Sequence, residues 1–537
     1  MSERLRRLLA FGAASRCGIL RAVSRKNRKR SRAAAPAAAP PPETAKARPR
    51  GRWVYLGTAV LGVLLLGVGW TWWQAEQFEE RFDADYVGSA VCGDCHTIIH
   101  GQWSGSPHAN MVRRPDTGSV VGDFNHGEFR LPIDSPDPLA GEVVARTFVE
   151  DDRYYMALRH PEDGDFVPFP IKYVVGYQYR QEYVFEEPGG VLRRLPLQWS
   201  TAKQAYFPYW NIQEGSDQTV ADLWQQMTTT NSAWNVYCAR CHTTNMDIVE
   251  VDPFHTRARV DWQEEGIGCE ACHGPGSLHV EYMKSSPANR LAMFVRNHLH
   301  GYPVAYVANA DKLPKEQALS VCARCHGADI FARNQDFYRT YEPGYSRSGR
   351  INDLSEFFRQ APLTPGRMAP TIEVWHNGRP RGIGMLFRSF VESECYTQGE
   401  PRCHDCHDPH QNKAATRPGM LEASAVSNAY CSSCHFDIGS NPEAHTHHPS
   451  GQPGSFCYDC HMPKHITKLN TGIWERTRTH EMSSLPNPHD SLRYGLANAP
   501  NACSDCHADA GLSELIDTMR RWWPNHDPPQ DTGNALY

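Results

Sequence analysis

Sixteen of the 18 cysteines lie in eight copies of one pattern, Cys-x-x-Cys-His. Two thiols one short turn apart can add to the two vinyl groups of a porphyrin, and the imidazole that follows can bind the iron as its proximal ligand. The pattern therefore predicts eight covalently attached haem c groups. The predicted thioether cysteines are Cys92, Cys95, Cys238, Cys241, Cys269, Cys272, Cys322, Cys325, Cys403, Cys406, Cys431, Cys434, Cys457, Cys460, Cys503 and Cys506. The predicted proximal ligands are His96, His242, His273, His326, His407, His435, His461 and His507.

Zinc sites and disulfides fit the spacing of these cysteines poorly. A shuffled chain of this composition would contain about 0.03 copies of the pattern. Zinc ribbons pair cysteines in the same way, but tetrahedral zinc does not require a histidine directly after each pair. A disulfide framework would not repeat one local spacing eight times. Cys17 and Cys395 lie outside the motifs. For Cys395, a buried unreactive thiol is favoured over a thiolate that binds iron.

The composition is poor in aliphatic side chains. Only 40% of residues are hydrophobic, and the chain holds 41 Gly and 39 Pro. Eight haems would supply the missing apolar volume, so folding is expected to depend on their insertion. The predicted fold is mainly α with much irregular structure, wrapped around an array of haems, with one N-terminal transmembrane helix and a small β-rich insertion.

Charge is distributed unevenly along the chain. Residues 1–52 carry 15 basic and 2 acidic side chains, a balance of +13, so the net charge of −5 leaves −18 for the remainder. An acidic body argues against nucleic-acid binding and suits cationic redox partner proteins.

The N-terminal region has the pattern of a membrane anchor. Residues 1–52 form a basic, Ala/Pro-rich stretch that we expect to be a disordered cytoplasmic tail. Residues 53–74 are apolar, uncharged and long enough to span a bilayer, with tryptophans at both ends. They predict an uncleaved signal anchor, single-pass in the inner membrane, with the N-terminus cytoplasmic and the haem domain periplasmic. The alternative is a buried helix of a soluble protein.

The remaining chain divides by motif density into five predicted segments. They are the first haem site at 75–119, a β-rich insertion at 120–205, haem sites 2–4 at 206–345, a connecting segment at 346–400, and haem sites 5–8 at 401–537. Within the insertion, alternating residues around an Asp-Asp pair and around Pro-Gly-Gly predict two hairpins. LSEFFRQ and SELIDTMRRWW predict helices.

Several stretches resemble known families. GSAVCGDCHTIIHGQWSGSPHA resembles the opening of the tetrahaem cytochrome c family linked to hydroxylamine oxidation, and CEACHGPGSLH resembles another segment of it. CHDCHDPH and its spacing to CSSCH are similar to the doubled modules of multihaem cytochromes, and HHPSGQPGSFCYDCHMP to exported octahaem proteins. The resemblance covers about residues 86–510. It implies a relative of the octahaem group that includes hydroxylamine oxidoreductase and octahaem nitrite or tetrathionate reductases, although no motif here ends in lysine.

The sixth ligand decides whether a haem carries electrons or transforms a small molecule. The resemblance implies distal ligands at His108, His279, His410, His480 and one member of the cluster His445, His447 and His448. His126 and His300 are the best of the remaining histidines. Five matches against eight motifs leave three irons undecided.

Three functions remain open from the sequence. The favoured one is electron transfer by a membrane-anchored octahaem protein, between a membrane quinol system or a partner enzyme and an exported acceptor. The second is an oxidoreductase that acts on a small nitrogen or sulfur compound at one open haem, with catalytic residues unknown. The third is a cytochrome subunit of a larger respiratory or photosynthetic complex.

Overall fold

A computed structural model describes a large part of the chain. The described residues are 50–76, 84–208, 219–228, 233–251, 258–300, 306–327, 374–411, 413–414, 428–467, 476–482 and 487–525. The predicted N-terminal tail up to residue 49 and the helix predicted at LSEFFRQ lie outside them.

The predicted membrane span is helical. Helix α1 covers Arg50–Glu76, and its stretch Tyr55–Trp73 has the length and apolar composition needed to cross a membrane, with a mean hydropathy of 1.5. The Thr71 hydroxyl donates to the carbonyl of Gly67 at 2.8 Å, so this polar side chain is satisfied within the helix. This length and composition are compatible with a membrane anchor.

Two antiparallel sheets dominate residues 112–208. One has six strands, in the order β1-β6-β7-β9-β10 with β8 paired to β7, and the other has the order β2-β3-β4-β5. Their strands are β1 Val112–Arg113, β2 Glu128–Arg130, β3 Val143–Glu150, β4 Arg153–Arg159, β5 Phe166–Pro170, β6 Tyr173–Val175, β7 Arg180–Glu187, β8 Val191–Arg194, β9 Leu197–Ser200 and β10 Ala205–Pro208.

Both predicted hairpins are confirmed. Strands β3 and β4 pair with Glu150 opposite Arg153. Asp151 and Asp152 turn the chain with φ of 48° and 58°, which is the geometry of the tight hairpin turn whose twist matches its strands. Strands β7 and β8 pair from Val184↔Arg194 to Glu187↔Val191, around the Pro-Gly-Gly turn.

The sheet region has an apolar core of its own. Met156, Val174 and Tyr183 are fully buried in it, together with aromatic rings from neighbouring strands. A second cluster joins the six-stranded sheet to the segment that carries the second motif, because Trp234 packs there against Tyr173 and Leu192. The sheets therefore bury an apolar core built from their own side chains, in the region for which the sequence predicted a β-rich insertion.

Short helices and loops carry the motifs elsewhere. The helices after α1 are α2 Ser89–Gly93, α3 Thr97–Ser104, α4 Val220–Thr228, α5 Trp234–Tyr237, α6 Ala239–His242, α7 Glu270–His273, α8 Ser277–Lys284, α9 Pro287–His300, α10 Lys315–His326, α11 Leu386–Val391, α12 Glu394–Gln398, α13 Cys403–Cys406, α14 Ala429–Ser432, α15 Phe436–Gly439, α16 Pro442–Thr446, α17 Cys457–His461, α18 Pro488–Tyr494 and α19 Leu512–Trp522. The helix predicted at SELIDTMRRWW is thus confirmed as α19.

Four two-stranded ladders and two 3-10 turns complete the described elements. The ladders pair β11 Thr243–Thr244 with β14 Glu264–Glu265, β12 Asp247–Val251 with β13 Ala258–Asp261, β15 His407–Asp408 with β16 Lys413–Ala414, and β17 Ile466–Thr467 with β18 Arg476–Thr477. The 3-10 turns are Ala310–Lys312 and Ile383–Met385. These ladders and turns are too short to bury a core of their own. Their common role is to position the Cys-x-x-Cys-His motifs.

Candidate haem-binding sites

Each motif folds as a single helical turn. In the first motif the His96 amide donates to the Cys92 carbonyl at 2.9 Å, and His507 to Cys503 at 2.8 Å repeats the contact in the last. This turn brings two thiols and one imidazole close together, which is the donor set that covalent haem needs. None of the 17 cysteines in the described ranges forms a disulfide, so every described motif thiol is available for a thioether bond.

Six motif histidines face a histidine from elsewhere in the chain. An iron between two imidazoles separates their ring centroids by about 6 Å, because each metal–nitrogen bond is about 2 Å long. The observed separations are His96–His279 6.2 Å, His326–His108 6.4 Å, His273–His410 6.2 Å, His407–His480 6.1 Å, His461–His445 6.3 Å and His507–His448 6.1 Å. The six pairs fit an iron between the rings.

Three of these rings are oriented by backbone carbonyls. Nδ1 of His108 lies 3.0 Å from the Pro409 carbonyl, and Nδ1 of His273 lies 2.6 Å from the Ala308 carbonyl. Nδ1 of His448 contacts the carbonyl of Thr446 at 2.6 Å. A carbonyl only accepts hydrogen bonds, so Nδ1 carries the proton and Nε2 keeps its lone pair for a metal.

Every distal position that the resemblance implied faces a motif histidine in the structure, and so does one further histidine. His108, His279, His410 and His480 each face a motif histidine. In the cluster of His445, His447 and His448, the sequence predicted one distal ligand. Two of its rings, those of His445 and His448, each face a motif histidine, and sequence reasoning missed the second. His445 and His448 are three residues apart. This spacing was the sequence signal that one turn can supply ligands to two haem sites.

Of the other three candidate distal positions, two lack this arrangement in the part of the chain that the structure describes. His447 adopts φ 58°, and its ring stacks on that of Trp522 with centroids 4.6 Å apart. His126 is exposed in a turn in which its amide donates to Asp123. His300 ends α9, but its side chain lies outside the described residues.

The second motif has different surroundings. Among the described residues no histidine ring faces His242, and its buried Nδ1 has no hydrogen-bond partner there. Burial lowers the pKa of His242, Glu182 opposes this shift, and Arg180 and Arg194 reinforce it. Two guanidinium groups and a carboxylate from strands β7 and β8 therefore lie within electrostatic reach of this imidazole.

The six-stranded sheet fixes the position of the second motif. Asn235 accepts from the Leu192 amide and donates to the Gly190 carbonyl, and the Arg194 side chain hydrogen-bonds Cys238. Trp234, fully buried, holds its ring 6.3 Å from that of His242. The β-rich insertion is therefore a wall of the second site.

His435 also lacks a facing histidine within the described ranges. Its motif differs from the second in being exposed, with Cys434 and His435 both on the surface. Phe436, directly after it, is 71% exposed. Among the described residues, two of the eight motifs are thus without a histidine pair, and the one at His242 has charged side chains within electrostatic reach.

Thiols of different motifs contact each other. The thiol of Cys92 lies beside that of Cys269, Cys241 beside Cys325, Cys322 beside Cys403, and Cys431 beside Cys457. The Cys92 contact lowers the pKa of Cys269 to about 7. Three further pairs of thiols are close enough to interact electrostatically: Cys272 with Cys322, Cys406 with Cys434, and Cys460 with Cys503. If the motifs are numbered by their order in the sequence, neighbouring thiols therefore connect them in the line 1-3-4-5-6-7-8. Motif 2 neighbours motif 4.

Two carboxylates, one buried and one half-buried, hold the first and third motifs together. Glu270, in the third motif and 1% exposed, accepts the amides of Val87 and Gly88 at 2.9 and 2.7 Å, and that of Gly276 at 2.7 Å. Glu264 accepts both the amide and the hydroxyl of Ser89 at 2.9 Å. The contacts to Val87, Gly88 and Ser89 each join residues more than 170 positions apart. We call Glu264 and Glu270 the carboxylate clasp.

Comparison with known proteins agrees with this chemistry. Residues 198–274, which contain the second and third motifs, match the family described as cytochrome c554 and c-prime. The chain is a multihaem c-type cytochrome. Haem c, covalently bound, is therefore its cofactor.

This cytochrome is similar to the dissimilatory sulfite reductase MccA of Wolinella succinogenes, with 21% identity over 71% of the chain. The match spans about half the length of that relative (51%). Among solved structures, it is similar to the outer cell wall cytochrome OcwA, with TM-score 0.45, 18% identity, and coverage of 82% of this chain and 87% of that one. The octaheme sulfite reductase MccA of Wolinella succinogenes gives TM-score 0.26 and 16% identity, with coverage of 74% of this chain and 58% of that one.

Proposed function

We propose that this cytochrome transfers electrons through eight haems, most of them held between two histidines. Six facing histidine pairs with ring separations of 6.1 to 6.4 Å are the observation that carries the proposal. Two imidazoles saturate an iron, and such a haem exchanges electrons without binding substrate. The protein's contribution is then to fix the ligands, their hydrogen bonds and the burial of each haem.

The thiol contacts suggest the electron route. Because each pair of thiols would hold one edge of a haem, motifs with neighbouring thiols would hold the edges of their haems side by side. The route would run through haems 1, 3, 4, 5, 6, 7 and 8, numbered by motif, with haem 2 as a branch from haem 4. Haems 1 and 8 end the line and are the sites at which outside donors and acceptors would exchange electrons.

Counting iron spin states tests this proposal. In electron paramagnetic resonance of the oxidised protein, we expect low-spin signals from at least six irons in eight, and high-spin signals from at most two. A majority of high-spin iron would contradict electron transfer through histidine-paired haems. Haem content, measured as the pyridine haemochrome per polypeptide, provides the count of eight against which these fractions are normalised.

A second candidate function is reduction of a small oxyanion at haem 2. The observation that favours it is the set of charged side chains around His242, where no facing histidine was found in the described ranges. Arg180 and Arg194 would bind an anion, and Glu182, 3.3 Å from Arg180, would hold that guanidinium in place and exchange protons. The curated relative named as a sulfite reductase makes sulfite the first anion to test.

Replacing Arg180 by Gln separates this candidate from simple electron transfer. Sulfite is expected to perturb the high-spin signal of the wild type, and the variant should bind sulfite about tenfold or more weakly, since a charge-assisted hydrogen bond is lost. Carbon monoxide, which is neutral, should bind both proteins equally in the reduced state. Arg153→Gln, at an exposed position of the same sheet region, is the matched control. Sulfite binding that is unchanged in R180Q would remove Arg180 from the site.

We further propose that α1 anchors the haem domain at the outer face of the inner membrane. The support is the uncharged stretch Tyr55–Trp73, preceded in the sequence by the basic residues 1–52. The quinol pool of that membrane would be one electron source, a partner protein another, and assembly into a larger complex is compatible with either. Replacement of residues 1–76 by a cleavable signal peptide, which keeps export, is expected to release holoprotein into the soluble periplasmic fraction. Retention in the membrane fraction would show that α1 is not the anchor.

A further inference from the structure

The sixth-ligand candidates of haems 7 and 8 come from one tight turn. His445 lies in the last turn of α16 and faces His461, whereas His448 lies just beyond the helix and faces His507. We call residues 445–448 the ligand turn. Between its two ligands, His447 holds φ 58°, a left-handed conformation that costs a non-glycine residue about 1 kcal/mol or more.

Two tryptophans at the end of α19 cover this turn. Trp522 stacks on His447 with ring centroids 4.6 Å apart and meets the His448 ring edge-on at 5.8 Å. Trp523 lies 6.0 Å from the His445 ring, and its Nε1 donates to the His445 carbonyl at 3.0 Å. The two tryptophans pack on each other at 5.5 Å.

The pair is itself held in place by the helix that carries it. Ile516 and Met519 of α19 are buried, and the helix packs against α18. The Trp523 amide donates to the Met519 carbonyl at 2.8 Å, which continues the helical ladder to the second tryptophan. A firmly packed helix thus presents two aromatic side chains to a turn whose backbone is strained.

We infer that Trp522 and Trp523 are positioning residues that hold the sixth ligands of haems 7 and 8 together. The inference rests on the proposed histidine pairing. Neither tryptophan replaces a ligand. They hold the left-handed turn in the conformation in which His445 and His448 are directed to two different irons. Loss of both tryptophans would therefore remove the sixth ligands of haems 7 and 8 at once, although no ligand is mutated.

The test compares spin states of the full-length holoprotein. The double variant Trp522→Leu/Trp523→Leu is expected to contain two more high-spin irons per eight than the wild type. Trp522→Phe/Trp523→Phe keeps the aromatic packing and is expected to stay close to the wild type. His447→Ala, which removes the stacked ring but no ligand, should add one high-spin iron at most.

A second variant probes the ligand turn without touching α19. A Cβ on Gly454, whose φ is 89°, would lie 2.5 Å from the Cδ2 atom of His448. Gly454→Ala is therefore expected to remove the sixth ligand of haem 8, and His448→Ala should give the same spectrum.

The outcomes separate this inference from the proposed function. A wild type with fewer than six low-spin irons would overturn the histidine pairing itself. In a second outcome, the wild type shows at least six low-spin irons and the leucine double variant keeps the same spin count. That result would leave the proposed electron transfer standing and overturn the role of the tryptophans. A double variant that fails to load haem leaves the phenylalanine and Gly454→Ala variants to decide, and an unchanged spectrum in G454A would also count against the turn.

Discussion

Replacing His279 by Met is expected to raise the reduction potential of a single haem by on the order of 0.1 V or more, while the others keep their values. The physical reason is that a thioether is a weaker donor to ferric iron than an imidazole. His279 is the residue to change because its ring lies 6.2 Å from that of His96, and the two planes differ by only 22°. Spectroelectrochemical titration, with the methionine–iron absorption band as a marker, measures the shift.

The matched control is His126→Met, since His126 is exposed in a turn and faces no motif histidine in the described part of the chain. It should leave every potential unchanged. If the H279M titration overlays that of the wild type, His279 is not a ligand and the first haem needs another partner. A new high-spin signal without a shifted potential would instead mean that methionine fails to reach the iron.

Replacing Glu270 by Ala is expected to destabilise the protein by about 3–5 kcal/mol, because three backbone amides lose their acceptor in a buried position. The amides belong to Val87, Gly88 and Gly276, so the loss falls on the contact between the first and third motifs. Chemical denaturation followed by the Soret absorption measures the change in unfolding free energy.

Two further variants make the Glu270 experiment specific. Glu270→Gln keeps the shape and one acceptor oxygen, so its loss should be smaller than that of the alanine variant. Glu142→Ala removes an exposed carboxylate and should change stability by less than about 0.5 kcal/mol. Equal stability of E270A and the wild type would show that the carboxylate clasp does not hold the two motifs together.

The sequence alone determined the cofactor and its attachment. Thioether formation and proximal ligation need only five consecutive residues, so a local pattern is sufficient to predict them. Hairpins at Asp151–Asp152 and at the Pro-Gly-Gly turn, and helix α19, were equally readable, because turn chemistry and helical periodicity are also local. The β-rich insertion was predicted from its turns, but the extent of its apolar core was not, since the low hydrophobic content is an average over the whole chain.

Only the tertiary structure decided which histidine faces which motif. His108 meets His326 and His410 meets His273, pairings that join positions more than 130 residues apart. A distal ligand carries no local signature beyond being histidine, because its partner is fixed by the packing of distant loops. The same reason explains why the sequence could not show that His445 and His448 both face motif histidines, or that the sheet supplies charged side chains around His242. Those features depend on long-range contacts, and it is these contacts that distinguish a saturated electron carrier from a haem open to substrate.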